Sequence, residues 1–163
     1  MRQRVFVYGT LLRGEVNHRL LSGARFLGVF RTAPCFSLFL LGAYPGAVMG
    51  GRAAVSGEVY EVSRACLHRL DRLEEYPSLY DRRLIRTPHG PAWIYVYRGC
   101  LDGRPLIRSG DWRAFAAAPD SCRAAGVRAS RDPKTRHHRE PARMASDAAE
   151  PAAPQTPPCR QHL

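Results

Sequence analysis

Val5-Phe6-Val7-Tyr8-Gly9-Thr10-Leu11 decides how this chain is read. The run from Val5 to Tyr8 is β-branched and aromatic throughout, which is the composition of a buried strand. Gly9-Thr10 then breaks it. Glycine lets the backbone turn sharply and come close to a ligand. Consecutive exposed N–H groups in such a turn can bind a carboxylate or a developing oxyanion. A Gly-Thr pair after a strand is also what an ordinary turn looks like, so this segment alone fixes a place in the fold and leaves its chemistry open.

Working outward, Val16 to Leu21 has the pattern of a short helical segment ending near Gly23. Arg25 to Thr32 and Pro34 to Leu41 read as strands, and Gly42-Ala43-Tyr44-Pro45-Gly46 as a loop. Ala54 to Val62 alternates as a strand, with Val55, Gly57, Val59 and Glu61 on one side. Ser63 is a suitable N-cap for a helix over Arg64 to Glu75, in which Cys66, Leu67, Leu70 and Leu73 form one apolar stripe. Pro77 prevents its continuation. Leu79 to Arg86 and Ala92 to Arg98 are strands around the turn His89-Gly90-Pro91, and Trp93, Tyr95 and Tyr97 share a face of the second. Many strands with two short helices imply an α+β domain on a curved, mainly antiparallel sheet. A sheet this rich in bulky residues is expected to close into a small mixed β-barrel with flanking helices.

The chain changes character after Phe115. No Phe, Tyr, Trp or Ile occurs from Ala116 to Leu163, and the stretch is rich in Ala, Arg and Pro. Such a segment cannot bury enough apolar surface to offset its ordering entropy, so a folded domain over 1–115 and a disordered tail over 116–163 are expected. The formal charge of +11 is almost all arginine, with Lys134 the lone lysine. Compositional bias explains this better than nucleic-acid binding, although the tail keeps that alternative open. The five cysteines (Cys35, Cys66, Cys100, Cys122 and Cys159) are scattered and form no C-x-x-C pair. They are expected to be reduced and mostly buried rather than bridged or zinc-bound. The pair His137-His138 has no partner ligands nearby in sequence, so no metal site is expected. No apolar run approaches the roughly 18 residues that span a bilayer, and the short apolar run after Met1 does not make a signal peptide. A cytoplasmic monomer without membrane contact is the expectation.

Glu74 stands out on physical grounds. It lies on the face of Leu67 and Leu70, which should point at the core. Desolvation there raises a carboxyl pKa. The helix C-terminus opposes ionisation further, and Glu75 adds a like charge. All three push the group toward the range useful for proton transfer. The competing reading is a solvated helix-end residue, or one paired with Arg82 or Arg83. Glu58 and Glu61 suit surface or salt-bridge roles better, and Asp71 reads as solvated.

Together these residues resemble the γ-glutamylcyclotransferase/AIG2-like family. Val5 to Leu11, followed by Gly14 and Asn17-His18, is similar to its opening signature. Gly57-Glu58-Val59-Tyr60-Glu61-Val62 resembles its central strand. Leu70 to Glu74, with Tyr80 and Arg82, resembles its catalytic segment, and Gly110-Asp111-Trp112 a closing motif of bacterial members. The Tyr-Gly-Thr-Leu form with Asn-His looks closer to the γ-glutamylamine cyclotransferase branch, and to the butirosin-biosynthesis cyclotransferase, than to glutathione-specific members.

The resemblance implies cleavage of a γ-glutamyl amine by internal cyclisation, without metal or cofactor, giving 5-oxoproline and a free amine. It places the catalytic glutamate on Glu74 and the substrate turn on Tyr8, Gly9, Thr10 and Leu11, with Tyr80 or Tyr97 orienting the substrate. The nucleophile would be the substrate's own α-amino group, so no serine or cysteine nucleophile is needed. The amine half would contact loops 42–52 and 99–110. Many members carry glycine where this chain has Glu75, which could shift the pKa or weaken substrate binding. A catalytically silent or repurposed binding domain on the same fold is the alternative.

Overall fold

The computed structural model describes residues 2–119. The tail from 120 onward lies outside the described residues, together with Cys122, Cys159 and the His137-His138 pair. In chain order the elements are β1 (Gln3–Val7), a 3₁₀ turn (His18–Leu21), β2 (Arg25–Arg31), β3 (Phe36–Leu40), β4 (Pro45–Met49), β5 (Ser56–Val62), α1 (Arg64–Leu73), β6 (Tyr80–Thr87), β7 (Gly90–Tyr97) and α2 (Trp112–Ala117).

The run at Val5 to Val7 becomes the middle strand of a five-stranded sheet ordered β2-β5-β1-β7-β6. β1 pairs antiparallel with β5, Val5 opposite Tyr60, and parallel with β7, Val5 beside Trp93. A strand flanked on both sides and covered on both faces must be apolar throughout, and Val5, Phe6 and Val7 are all buried. Where β1 crosses β5, a Cβ on Gly57 would lie 2.2 Å from the Val7 carbonyl oxygen, so only glycine fits. The outer strands β2 and β6 pair antiparallel with β5 and β7.

β3 and β4 form a separate two-stranded sheet. The α+β reading with mainly antiparallel pairing therefore stands. The closed barrel does not, because the larger sheet ends at β2 and β6 and the hairpin β3-β4 joins neither edge. The expected loop at 42–46 gives way at Pro45 to β4, a strand whose first residue tolerates proline. The segment 105–107 is hydrogen-bonded along β3, through Leu40 N–H to the Pro105 carbonyl and Ile107 N–H to the Leu38 carbonyl.

Ser63 caps α1 as expected, its hydroxyl accepting from the Cys66 N–H at 3.1 Å. Cys66, Leu67 and Leu70 of the stripe are buried, whereas Leu73 is exposed at the helix end. Truncating a fully buried leucine such as Leu70 to alanine typically costs about 2–5 kcal/mol. The helix stops where Glu75 adopts a left-handed backbone, φ 48°, and Pro77 follows; the Tyr76–Pro77 peptide is cis. α2 is capped by Asp111, whose carboxylate accepts from the Ala114 N–H at 3.0 Å. It continues to Ala117, two residues past the position where the aromatic residues end. Of the described cysteines only Cys66 is buried; Cys35 is half-buried and Cys100 exposed. No helix among the described residues is long and apolar enough to cross a membrane.

Candidate active site

The turn after β1 is held from behind by its own backbone and by Asn17. Leu12 N–H donates to the Gly9 carbonyl at 2.9 Å, and Asn17 N–H to the Thr10 carbonyl at 2.9 Å. The Asn17 side-chain amide donates to the Thr10 hydroxyl at 3.0 Å. The His18 Nδ1 lies 3.0 Å from the Leu11 carbonyl oxygen. These contacts use carbonyls and side chains. The N–H groups of Gly9, Thr10 and Leu11 have no acceptor among the described residues. Gly9 is required by close approach, since a Cβ there would sit 2.7 Å from Pro45 Cγ.

The turn forms one wall of a cavity of about 360 Å³. Glu74, at the C-terminal end of α1, lies on the same cavity, as do Tyr80 and Tyr95. Burial lifts the Glu74 carboxyl from 4.5 to about 7. Burial is the force that raises it; Glu75, expected to contribute as a like charge, is exposed. No hydrogen bond or ion pair reaches the Glu74 carboxylate from any described residue. The arginines that could have paired with it are engaged elsewhere. Arg82 pairs with Asp71 at 3.5 Å and stacks over Tyr76, 4.3 Å from the ring centroid. Arg83 pairs with Asp81 at 2.9 Å. Asp71 is thus not a solvated residue as expected. It anchors Arg82 and accepts the Tyr95 hydroxyl at 2.6 Å.

Tyr8, Tyr80 and Tyr95, three of the four tyrosines that line the cavity, are held protonated chiefly by burial, with the Asp71 hydrogen bond and charge adding at Tyr95 and the Glu74 charge adding at all three. Two have committed their protons: Tyr8 donates to the Tyr95 carbonyl at 2.9 Å, and Tyr95 to Asp71. Tyr8 also accepts from the Ala47 N–H at 3.1 Å, which ties β4 to the cavity wall. The Tyr80 hydroxyl has no partner among the described residues, which leaves it able to bond a ligand. Tyr97 does not line the cavity. Its ring packs edge-on against Tyr80, centroids 5.3 Å apart, and sets that residue's position.

The sequence signature and this geometry agree with a family comparison. The model described as gamma-glutamyl cyclotransferase, AIG2-like, matches residues 5–114. The chain belongs to this family. A Vibrio cholerae relative is 50% identical over 112 residues, covering 69% of this chain and 96% of its own. The Escherichia coli gamma-glutamylcyclotransferase family protein YtfP is 46% identical over 109 residues, covering 67% and 95%. The crystal structure of PH0828 from Pyrococcus horikoshii aligns with a TM-score of 0.62 at 31% identity, covering 70% and 92%.

Within this cyclotransferase-family cavity the structure gathers Tyr8, Gly9, Thr10, Leu11, Glu74 and Tyr80, and leaves out Tyr97. Of the two loops expected at the site, Ala43, Tyr44 and Pro45 reach it, while residues 99–110 do not. Sequence reading missed Tyr95, the middle member of the Trp93-Tyr95-Tyr97 face, because alternation shows which residues share a face but not which of them meets a cavity. Among the described residues no three of His, Cys, Asp and Glu converge as a metal-ligand set.

Proposed function

We propose that this protein cleaves γ-glutamyl amines, releasing 5-oxoproline and the free amine, with Glu74 carrying the proton. The observation behind this reading is the pairing, in one cavity, of a partnerless carboxyl near pH 7 with a turn whose N–H groups have no internal acceptor. Family membership supplies the reaction class.

The substrate brings its own nucleophile. Its α-ammonium gives a proton to the Glu74 carboxylate, and the freed amine attacks the γ-carbonyl carbon. The new C–N bond closes a five-membered lactam; the Glu74 proton passes to the departing nitrogen as the amide C–N bond breaks, and the second proton shed by the attacking nitrogen goes to the free amine, which leaves as its ammonium. Water is neither consumed nor released, and the carboxylate is regenerated. A carboxyl with a pKa near 7 suits both transfers, because it is neither too weak a base nor too weak an acid. The N–H groups of Gly9, Thr10 and Leu11 are suited to hold the glutamyl carboxylate or the developing oxyanion, a type of contact worth about 3–4 kcal/mol in comparable sites. Holding the glutamyl chain folded adds a proximity effect. Tyr80 is a buried donor of the cavity wall with capacity left to orient the substrate.

The test is 5-oxoproline release from a panel of γ-glutamyl amines by the wild type and by Glu74→Gln. Release by the wild type alone establishes both the reaction and the residue. Equal release removes Glu74 from its role, and absence of release by folded wild type favours a binding domain on this fold.

A further inference from the structure

A second cavity of about 360 Å³ shares no lining residue with the one beside Glu74. Small-molecule sites begin at about 300 Å³, so it is large enough for a ligand of its own. β2 and β5 supply one wall through the cross-strand pair Arg31 and Ser56, and the segment entering α2 supplies Asp111. Leu12, Val29 and Phe30 are its apolar part. Val29 is 75% exposed, the most exposed large apolar side chain among the described residues.

Three charged side chains line this cavity, and one is already neutralised. Arg113 pairs with the buried Glu58 at 2.8 Å and donates to the Arg13 carbonyl at 2.6 Å. Arg31 and Asp111 remain. Arg31 Nη2 donates to the Ser109 carbonyl at 3.2 Å, and the Asp111 carboxylate accepts from the Ala114 N–H at 3.0 Å. Both contacts are to backbone, and neither residue has an ion pair among the described residues. They do not pair with each other, although both bond to Ser109. One uncompensated cation and one uncompensated carboxylate thus face the same cavity across an apolar wall.

We propose that this second cavity binds a free α-amino acid with an apolar side chain, of the leucine or phenylalanine kind. Its carboxylate meets Arg31, its ammonium meets Asp111, and its side chain covers Val29 and Phe30. A ligand with only a carboxylate would leave Asp111 as an opposing like charge, and a ligand with only an ammonium would leave Arg31 so. The site is independent of the reaction at Glu74 and stands whether or not that reaction occurs.

The test is calorimetric titration of the full chain with L-leucine and L-phenylalanine and with their single-charge analogues. 4-Methylpentanoate and 3-phenylpropionate lack the ammonium; 3-methylbutylamine and 2-phenylethylamine lack the carboxylate. The better-bound amino acid should bind about tenfold or more tightly than either of its analogues, the scale of one satisfied charge. Arg31→Gln should bring it down to the level of the amine, and Asp111→Asn to the level of the acid. Neither change threatens the fold, because Arg31 is exposed and asparagine caps a helix as well as aspartate does. No saturable binding of either amino acid to folded wild type overturns the inference, as does an analogue that binds equally well. Binding that one of the two substitutions leaves unchanged contradicts the zwitterion assignment, and binding that survives both lies outside this cavity and overturns the site itself.

Discussion

Glu58 is buried against the end of the turn after β1 and Glu74, half-buried, shares a cavity with that turn, but the two are opposites electrostatically. Burial alone would raise Glu58. Hydrogen bonds from the Arg13 N–H (3.0 Å), the Tyr60 hydroxyl (2.7 Å) and Arg113 (2.8 Å) outweigh it and hold the carboxyl below 4.5. Burial, with the Glu58 hydrogen bond and charge adding to it, pushes the Tyr60 hydroxyl up to about 12. Arg113 also donates to the Arg13 carbonyl, so Glu58 fastens the end of the turn to α2. Glu74 has burial without partners and rises to about 7. A satisfied buried carboxylate is structure; an unsatisfied one beside an open cavity is chemistry.

The contrast can be broken by substitution. The largest expected effect is on Glu74→Gln, which should lower kcat by about 10²–10⁴ while leaving the fold intact. It should also change stability in a pH-dependent way. A raised carboxyl pKa means that the folded chain holds the proton more tightly than the unfolded chain. The stability Glu74 contributes is complete below 4.5 and lost as pH rises through about 7. Glu74→Gln removes that loss, so thermal melts should show the variant more stable than wild type at pH 8, by up to about 3 kcal/mol, and no such gain at pH 5.

Gly9→Ala comes next. Its Cβ would push Pro45 away and open the turn, and misplacement of this order costs about a hundredfold in kcat/KM. Glu58→Gln should act the other way round from Glu74→Gln, costing about 1–3 kcal/mol of stability in denaturant melts: Arg113 loses its partner's charge, but being 45% exposed it is screened and solvated by water. The lowered Glu58 carboxyl stabilises above 4.5, and that contribution fades as pH falls below it. The Gln variant should therefore differ from wild type most at neutral pH, with the pH dependence of its residual activity unchanged. The smallest effect is on Tyr80→Phe. Loss of one uncommitted hydroxyl should reduce kcat/KM by about threefold to tenfold, the scale of a single neutral hydrogen bond.

Much of this contrast was legible in the sequence at Glu74 and little of it at Glu58. Helical spacing places Glu74 on the Leu67–Leu70 face whatever the tertiary structure, so its burial follows from a local period. Glu58 sits in a strand whose two faces are both covered, and alternation then predicts no exposed side. Its partners Arg13 and Arg113 are 45 and 55 residues away in sequence, beyond any local pattern. Asp71 was misread for the same reason, because its partners Arg82 and Tyr95 come from β6 and β7. The open sheet was missed because bulky strands are compatible with either closure or packing against a second hairpin, and only pairing register distinguishes them.

The most direct test of the central claim is the pH dependence of kcat/KM for 5-oxoproline release, with the residual rate of Glu74→Gln measured alongside. The expected wild-type profile rises with pH and bends at about 7, and the variant's residual rate is flat through that region. A wild-type bend near 4.5, or the same bend near 7 in the variant, would contradict the assignment of the proton carrier to Glu74.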